Sequence, residues 1–325
     1  MARVLIVGNV CKDIIYTTAT YPSEDTKVPA MSRVVRVGGN AGNILQVLLQ
    51  VGETQVGETQ VGALQLSCLF RVGSCDFSRA LVTEFEGKGV HMMGIVQEDT
   101  ELPESVLINS VETGSRTCVA FRNCTDLSKD EVLCAISDWR VYDWVHLEHR
   151  RNGLDVLEVA RSIKLRRPQL KISLEIEKIR DGFEEIMSVV DYPIVGKEVC
   201  RQLGYHDMES ALRGLCVHAR HSLVVTWGDK GAGLWFSGGC KNLIFSDKYP
   251  TKLVDVEPNI FTCDAVEVKD IVDSTGAGDT FTAGFIHSLI GLGETRLPEC
   301  LSRACRLAAS KLQLKGMVVN PKALS

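Results

Sequence analysis

Short runs of aliphatic and β-branched residues alternate with helical stretches along most of the chain, and that alternation narrows the fold more than any other feature. Val4-Leu5-Ile6-Val7 reads as a buried first strand. Further strands are expected at 64–70, 91–96, 144–147, 172–176, 189–195, 223–227 and 233–236. Apolar residues at helical spacing cover 40–49, 77–88, about 155–165, 280–290 and 297–314. Strands joined through helices pair in parallel and need cover on both faces. The expected fold class is therefore α/β, a mainly parallel sheet between helical layers. A length of 325 residues has room for a large core, and one large domain or two both suit it.

Composition excludes several classes. The formal net charge is −5, and the basic clusters (Arg150-Arg151, and Lys164 with Arg166 and Arg167) are small, which disfavours nucleic acid as a partner. The longest apolar stretches are too short to span a bilayer. The opening Met1-Ala2-Arg3, followed by a short apolar run broken at Gly8 and Asn9, reads as a strand rather than a secretory leader. The 12 cysteines form no C-x-x-C pair or repeating frame and read as reduced thiols of a cytoplasmic protein, without a zinc-ligand set. Val51-Gly52-Glu53-Thr54-Gln55 recurs unchanged as Val56-Gly57-Glu58-Thr59-Gln60. It is too short for a solenoid and reads as a loop duplication or a sequence artefact, without an assigned function.

The chemistry concentrates in Asp273-Ser274-Thr275-Gly276-Ala277-Gly278-Asp279-Thr280-Phe281, which runs into an apolar helix. Small residues at a helix N-terminus gather free N–H groups at the positive end of the dipole, an arrangement that favours an anion. Asp279 beside such a hole suits a base that deprotonates a hydroxyl attacking a phosphoryl group. On spacing alone it equally suits a first-turn acid favoured by the dipole, with Ser274 or Thr275 as N-cap.

This stretch resembles the C-terminal signature of the ribokinase-like (phosphofructokinase B type) sugar kinases. Gly38-Gly39-Asn40-Ala41-Gly42-Asn43 resembles their N-terminal signature, in the expected order. Segments such as Tyr21-Pro22-Ser23-Glu24-Asp25, Trp144-Val145-His146-Leu147-Glu148 and 172–178 are similar to the ketohexokinase branch of that family. The likeness runs from about 4 to about 318 and is weak at 50–80 and 247–268. It implies a single domain over 1–325, a three-layer ribokinase-like sandwich. It also implies a small β-sheet lid from about 13–37 and 105–122, used as a homodimer clasp.

The resemblance further implies ATP, magnesium and a sugar, with fructose converted to fructose 1-phosphate; potassium is a further candidate ion. Asp279 would be the base, Gly276, Ala277 and Gly278 the anion hole, and Arg116 a cation reaching the transferred phosphate. Asp13, Asp25, Gly39, Asn40 and Asn43 would ring the sugar, which needs carboxylate acceptors and amides that donate and accept. Taken singly, Asp25 also fits a turn cap, Asn43 a solvent-facing helix position and Arg116 an exposed strand arginine. Trp227, Gly228, Gly231 and Ala232 would approach the nucleotide, although Gly228 and Gly231 equally suit a hairpin turn. Glu198 would stand behind magnesium-bound water, with Glu175 and Glu177 as further acids. The chain departs from the family at Gly73-Ser74-Cys75-Asp76 and in the longer segment 247–268 beside the expected adenine pocket. Rival readings are a ribose, nucleoside or other ketose kinase, and a sugar-binding paralogue without catalysis.

Overall fold

The computed structural model describes residues 1–52, 55–56, 59–60, 64–238, 243–244, 252–255 and 259–324. The chain begins with β1 (Arg3–Val7) and then leaves the main body for β2 (Cys11–Thr18) and β3 (Ser32–Gly38). Helix α1 (Asn40–Val51) leads to the short pair β4 (Gln55–Val56) and β5 (Thr59–Gln60), then to β6 (Gln65–Gly73), α2 (Asp76–Gly87) and β7 (His91–Gln97). A second excursion forms β8 (Glu104–Ser110) and β9 (Arg116–Phe121). Strand and helix then alternate through α3 (Lys129–Ala135), β10 (Trp144–Glu148), α4 (Gly153–Arg166), β11 (Lys171–Ile176), α5 (Phe183–Met187) and β12 (Tyr192–Gly196). Helices α6 (Lys197–Gln202) and α7 (Met208–Leu215) precede β13 (Ser222–Thr226), β14 (Ala232–Phe236), β15 (Lys252–Asp255) and β16 (Ile260–Cys263). Helices α8 (Ala277–Leu292) and α9 (Leu297–Leu312) close the chain.

The main sheet has ten strands in the order β15-β16-β14-β13-β12-β11-β10-β1-β6-β7. The run from β13 to β7 is parallel, and β14, β16 and β15 add antiparallel at one edge. Alternation along β1 shows the layers. Val4 and Ile6 join the core under α1, α2, α8 and α9, whereas Leu5 and Val7 join the core under α3 to α7. The architecture is a three-layer α/β sandwich. Strand β12 begins at Tyr192, later than the apolar run from Val189 suggests, because Val189 and Val190 finish the turn after α5 by bonding back to Ile186.

The excursions form a separate four-stranded sheet, β3-β2-β8-β9. Beside β2, β3 runs antiparallel and β8 parallel. The expected strands at 13–37 and 105–122 thus lie in this second sheet. Of the duplicated segment, residues 53–54 and 57–58 lie outside the described residues, as do 247–251 and 256–258 of the segment 247–268; Gln55–Val56 pairs antiparallel with Thr59–Gln60.

The order of the main sheet reverses at β1. The chain steps outward from β1 to β6 and β7, then crosses back to β10 on the other side. In open parallel sheets the crevice at such a reversal, at the carboxyl ends of the strands, is where ligands bind.

Candidate active site

Three peptide segments meet at that crevice. The carboxyl end of β1 continues into Gly8 and Asn9, β10 ends in Glu148, and β11 carries Glu175. Glu148 is buried and ties them together: Asn9 N and Ala41 N donate to its Oε1 at 2.9 and 2.8 Å, and Arg150 Nη1 to its Oε2 at 3.0 Å.

The glycine pair before α1 is explained by two close approaches. A Cβ on Gly38 would fall 2.2 Å from the Asp13 carboxylate, so only glycine leaves room for that acid. Gly39 has φ +79°, and a Cβ there would meet the Asn9 carbonyl oxygen at 2.4 Å. Helix α1 then presents Asn40 and Asn43 on successive turns. Asn40 Nδ2 donates to Glu175 Oε2 at 3.1 Å, and Asn43 Nδ2 to Asp279 Oδ2 at 2.6 Å. Asn43 is buried, not solvent-facing, and its Oδ1 has no hydrogen-bond partner.

Helix α8 supplies the anion-facing turn. Its N-cap is Gly276 at φ 75°, ψ 15°, without a side-chain cap, rather than Ser274 or Thr275. Asp273 instead fixes the segment that leads into the helix. Its Oδ1 accepts from Thr275 N at 2.8 Å, its Oδ2 from Gly316 N at 3.0 Å, and its carbonyl from Lys311 Nζ at 2.7 Å. Burial opposes the charge of Asp273, yet these N–H groups and the Lys311 ammonium hold its pKa below the usual carboxylate value. The first N–H groups of the helix have no intrahelical acceptor. Ala277 N makes only a 3.4 Å turn contact, and a Cβ on Gly278 would meet nothing within 4 Å, so the turn faces open space.

Asp279 sits one step inside this turn and is buried. Burial, followed by the charges of Glu177, Glu148 and Asp13, pushes its pKa up to about 8, against the opposing Asn43 hydrogen bond. Glu175 is pushed well up as well, by burial and then by Asp279 and Glu177. Asp13 lies on β2 opposite Arg36 of β3; burial raises its pKa, while the Cys11 thiol at 3.3 Å, Arg36 and Arg116 work against that rise.

The structure thus brings Asp13, Gly39, Asn40, Asn43, Glu175, Glu177 and Asp279 together around the Gly276-Ala277-Gly278 turn. Arg116 is exposed on β9, on the same face as Asp13, and its charge reaches that carboxyl. Asp25 stands apart, in an exposed turn at φ 60°. Glu198 is exposed on α6 and pairs with Arg201 at 3.2 Å. Trp227 is buried, and the hairpin reading is realised at the turn after it. Gly228 and Gly231 have φ 59° and 91°, and Trp227 N donates to Gly231 O at 2.8 Å. An open depression of about 510 Å³ lies beside this turn, lined by Trp227, Asp229, Lys230, Asp264 and the start of α7.

Sequence reading missed Glu148, Arg36, Asp273 and Lys311 as site residues. Glu148 carries a usable signal, an acid closing an apolar parallel strand at its carboxyl end. Arg36 carries none, because Val35-Arg36-Val37 reads as ordinary strand alternation.

Comparison with known proteins accords with this geometry. Ketohexokinase of Mus musculus is 31% identical over 329 residues, covering 97% of each chain. The chain belongs to the pfkB family of carbohydrate kinases. The family model itself matches residues 259–323, which include the anion-facing turn and Asp279. Ribokinase from Giardia lamblia superposes with a TM-score of 0.76 at 15% identity, covering 100% of this chain and 96% of that one. The ribokinase of Arabidopsis thaliana, solved with ribose and ATP, gives a TM-score of 0.72 at 17% identity, covering 100% and 98%. This sugar kinase therefore has the ribokinase fold. No helix among the described residues is long and apolar enough to cross a membrane.

Proposed function

We propose that this sugar kinase is an ATP-dependent ketohexokinase that converts D-fructose to fructose 1-phosphate. The observation that carries the reading is Asp279, buried, held by Asn43 and placed in the first turn of a helix whose free N–H groups open into the crevice. The likeness to mouse ketohexokinase supports the choice of sugar.

Asp13, Asn40 and Asn43 orient the sugar hydroxyls, with Gly39 allowing its close approach. Asp279 accepts the proton of the primary hydroxyl as its oxygen attacks the γ-phosphorus, and the bond to the β-phosphate oxygen breaks with its electron pair on ADP. The N–H groups around Gly276, Ala277 and Gly278 stabilise the charge on the transferring group, and Arg116 shares it. Trp227, Gly228, Gly231 and Ala232 lie along the nucleotide. The small sheet acts as a lid that excludes water, so transfer to the sugar outruns ATP hydrolysis.

The residues present fit magnesium held mainly through phosphates and water. Crowded carboxylates at Glu175, Glu177 and Asp279 are relieved by a nearby cation, and no group of three His, Cys, Asp or Glu able to hold a metal by itself is found among the described residues. Glu198 and Glu177 would stand behind its water. Magnesium supplies charge neutralisation on the phosphate oxygens. The working form is a cytoplasmic homodimer joined through the lids. Edge strand β9 is exposed throughout, with Val119 and Phe121 at 59% and 58%, which supports a second copy as its cover.

The test is ADP release with magnesium-ATP against fructose, ribose, tagatose, glucose and adenosine, with Asp279→Asn as control. Fructose-dependent release that the control lacks supports the reading. Turnover with ribose or adenosine alone moves the substrate and keeps the base. Fructose binding by calorimetry with no ADP formed from any sugar refutes catalysis.

A further inference from the structure

Arg36 holds a buried guanidinium that the protein itself leaves half-used. Strand register sets it directly across from Asp13, on the lid face that also carries Arg116. Its side chain is only 13% exposed. Nε lies 3.9 Å from Asp13 Oδ2 and Nη1 lies 3.6 Å from Asp273 Oδ2, both beyond hydrogen-bond distance. Nε and Nη2 are buried without a hydrogen-bond partner. The loop after α9 closes against the same group, since a Cβ on Gly316 would lie 3.6 Å from Nη1.

Buried donors without acceptors are costly and uncommon in native proteins, and charged ones most of all. Here they form one edge of a rigid fork whose geometry matches two oxygens of one oxyanion. Position selects the oxyanion. On one side is Asp13, an acceptor suited to a sugar hydroxyl. On the other is Asp273, whose carboxylate takes the Thr275 N–H and so fixes the anion-facing turn of α8. The guanidinium, with its unpaired edge, therefore lies between the hydroxyl acceptor and the acid that holds the anion turn. The neighbouring turn of α8 presents free N–H groups to an anion, and in a kinase the oxyanion carried to that turn is a phosphoryl group.

We infer that Arg36 is a catalytic residue that grips two non-bridging oxygens of the phosphoryl group during its transfer. The inference rests on the kinase reading above. Arg36 exchanges no proton; the hydroxyl proton goes to Asp279, the new bond joins sugar oxygen to phosphorus, and the electron pair of the broken bond leaves on ADP. Because Arg36 rides on the lid sheet and the anion turn belongs to the main body, the grip also couples the two sheets.

Arg36→Met and Arg36→Lys in the full chain test this, with turnover and calorimetric binding of inorganic phosphate as separate readouts. In Arg36→Met, kcat should fall about 100-fold, as when one oxyanion donor is removed. Phosphate affinity should fall about tenfold or more, and fructose KM should change little. Arg36→Lys keeps the charge but not the fork and should recover only part of both. Asp279→Asn should retain phosphate binding. A raised KM with unchanged kcat and phosphate affinity would mean that Arg36 only orients Asp13, and overturns the inference. If Arg36→Met does not fold, an unchanged kcat in Arg36→Lys overturns it equally. If the wild type turns over no sugar, the kinase reading fails by itself, and the difference in phosphate affinity between wild type and Arg36→Met still decides the role of Arg36.

Discussion

Asp279 makes the pH profile the sharpest test of the proposed chemistry. A base with pKa about 8 is about one-tenth ionised at pH 7 and about one-hundredth at pH 6. Because kcat/KM follows the free enzyme, it should rise roughly tenfold per pH unit up to about pH 8 and then level off. Two variants move the limb in opposite directions. Glu177→Gln removes the foremost charge holding Asp279 neutral, after burial, and moves the limb down. A shift of about one unit takes the ionised fraction at pH 7 to about one-half, raising kcat/KM there about fivefold. Asn43→Ala removes the hydrogen bond that favours the carboxylate. At about 1.5–3 kcal/mol for a charged hydrogen bond, the limb moves up by roughly one to two units. Stability carries the matching sign. The folded pKa of Asp279 lies above the ordinary 3.8, so its contribution is complete below that value and is lost as pH rises through about 8. Asp279→Asn should therefore gain melting temperature relative to wild type at pH 9 but not at pH 4. Initial-rate ADP release from pH 6 to 9 at constant ionic strength, with thermal melts, reads all of this. A flat kcat/KM profile, or limbs shifting the same way in both variants, would refute the reasoning.

Asp279→Asn should bind fructose normally by calorimetry and lose turnover by about 10³-fold or more in the ADP assay. Gly231→Ala places a Cβ 2.0 Å from the Cys263 carbonyl oxygen at φ 91°, so it should cost about 1–3 kcal/mol in urea unfolding and weaken ATP binding. Arg303 is buried against Glu299, with Nη2 2.6 Å from Oε1, and Arg303→Met should destabilise by about 3–5 kcal/mol by leaving that acid under-compensated. If Val119 and Phe121 cover one another between copies, Phe121→Asp should yield monomers by light scattering while keeping a folded chain.

The strands and helices of the main sheet were legible because each is long enough to show its own period. Ile44, Leu45, Val47 and Leu48 mark a helix face whatever surrounds them, and Val4 to Val7 mark a strand buried on both faces. The pair Gly38-Gly39 was legible as a motif, but its cause was not. Gly38 is required by the Asp13 carboxylate, 25 positions earlier by number, which only the antiparallel register of β2 and β3 brings alongside. Arg36 and Lys311 were invisible for the same reason: each acquires meaning from a partner more than 20 residues away. Ser274 and Thr275 are good caps locally, yet neither caps α8: Gly276 takes the N-cap position in the left-handed conformation, and Asp273 holds the preceding Thr275 N–H together with two long-range partners, Lys311 and Gly316.

The division of labour between the two sheets follows from where the chain leaves and re-enters the main body. Asn43 and Asp279 belong to α1 and α8, which pack on the same face of the main sheet and share its core. Their 2.6 Å contact is fixed by that packing and does not depend on the small sheet. The cations are placed otherwise, for Arg36 and Arg116 stand on β3 and β9 of the small sheet, with Asp13 between them on β2. On the proposed reading the base is therefore permanently set, while the charge that stabilises the transferring group arrives with the lid. A kinase built this way holds ATP beside a ready base without hydrolysing it, since water bound with the lid open meets the base but not the full set of cations. On that same proposed reading, a sugar that touches Asp13 on the small sheet and Asn43 on the body at once would favour the closed arrangement in which both are present.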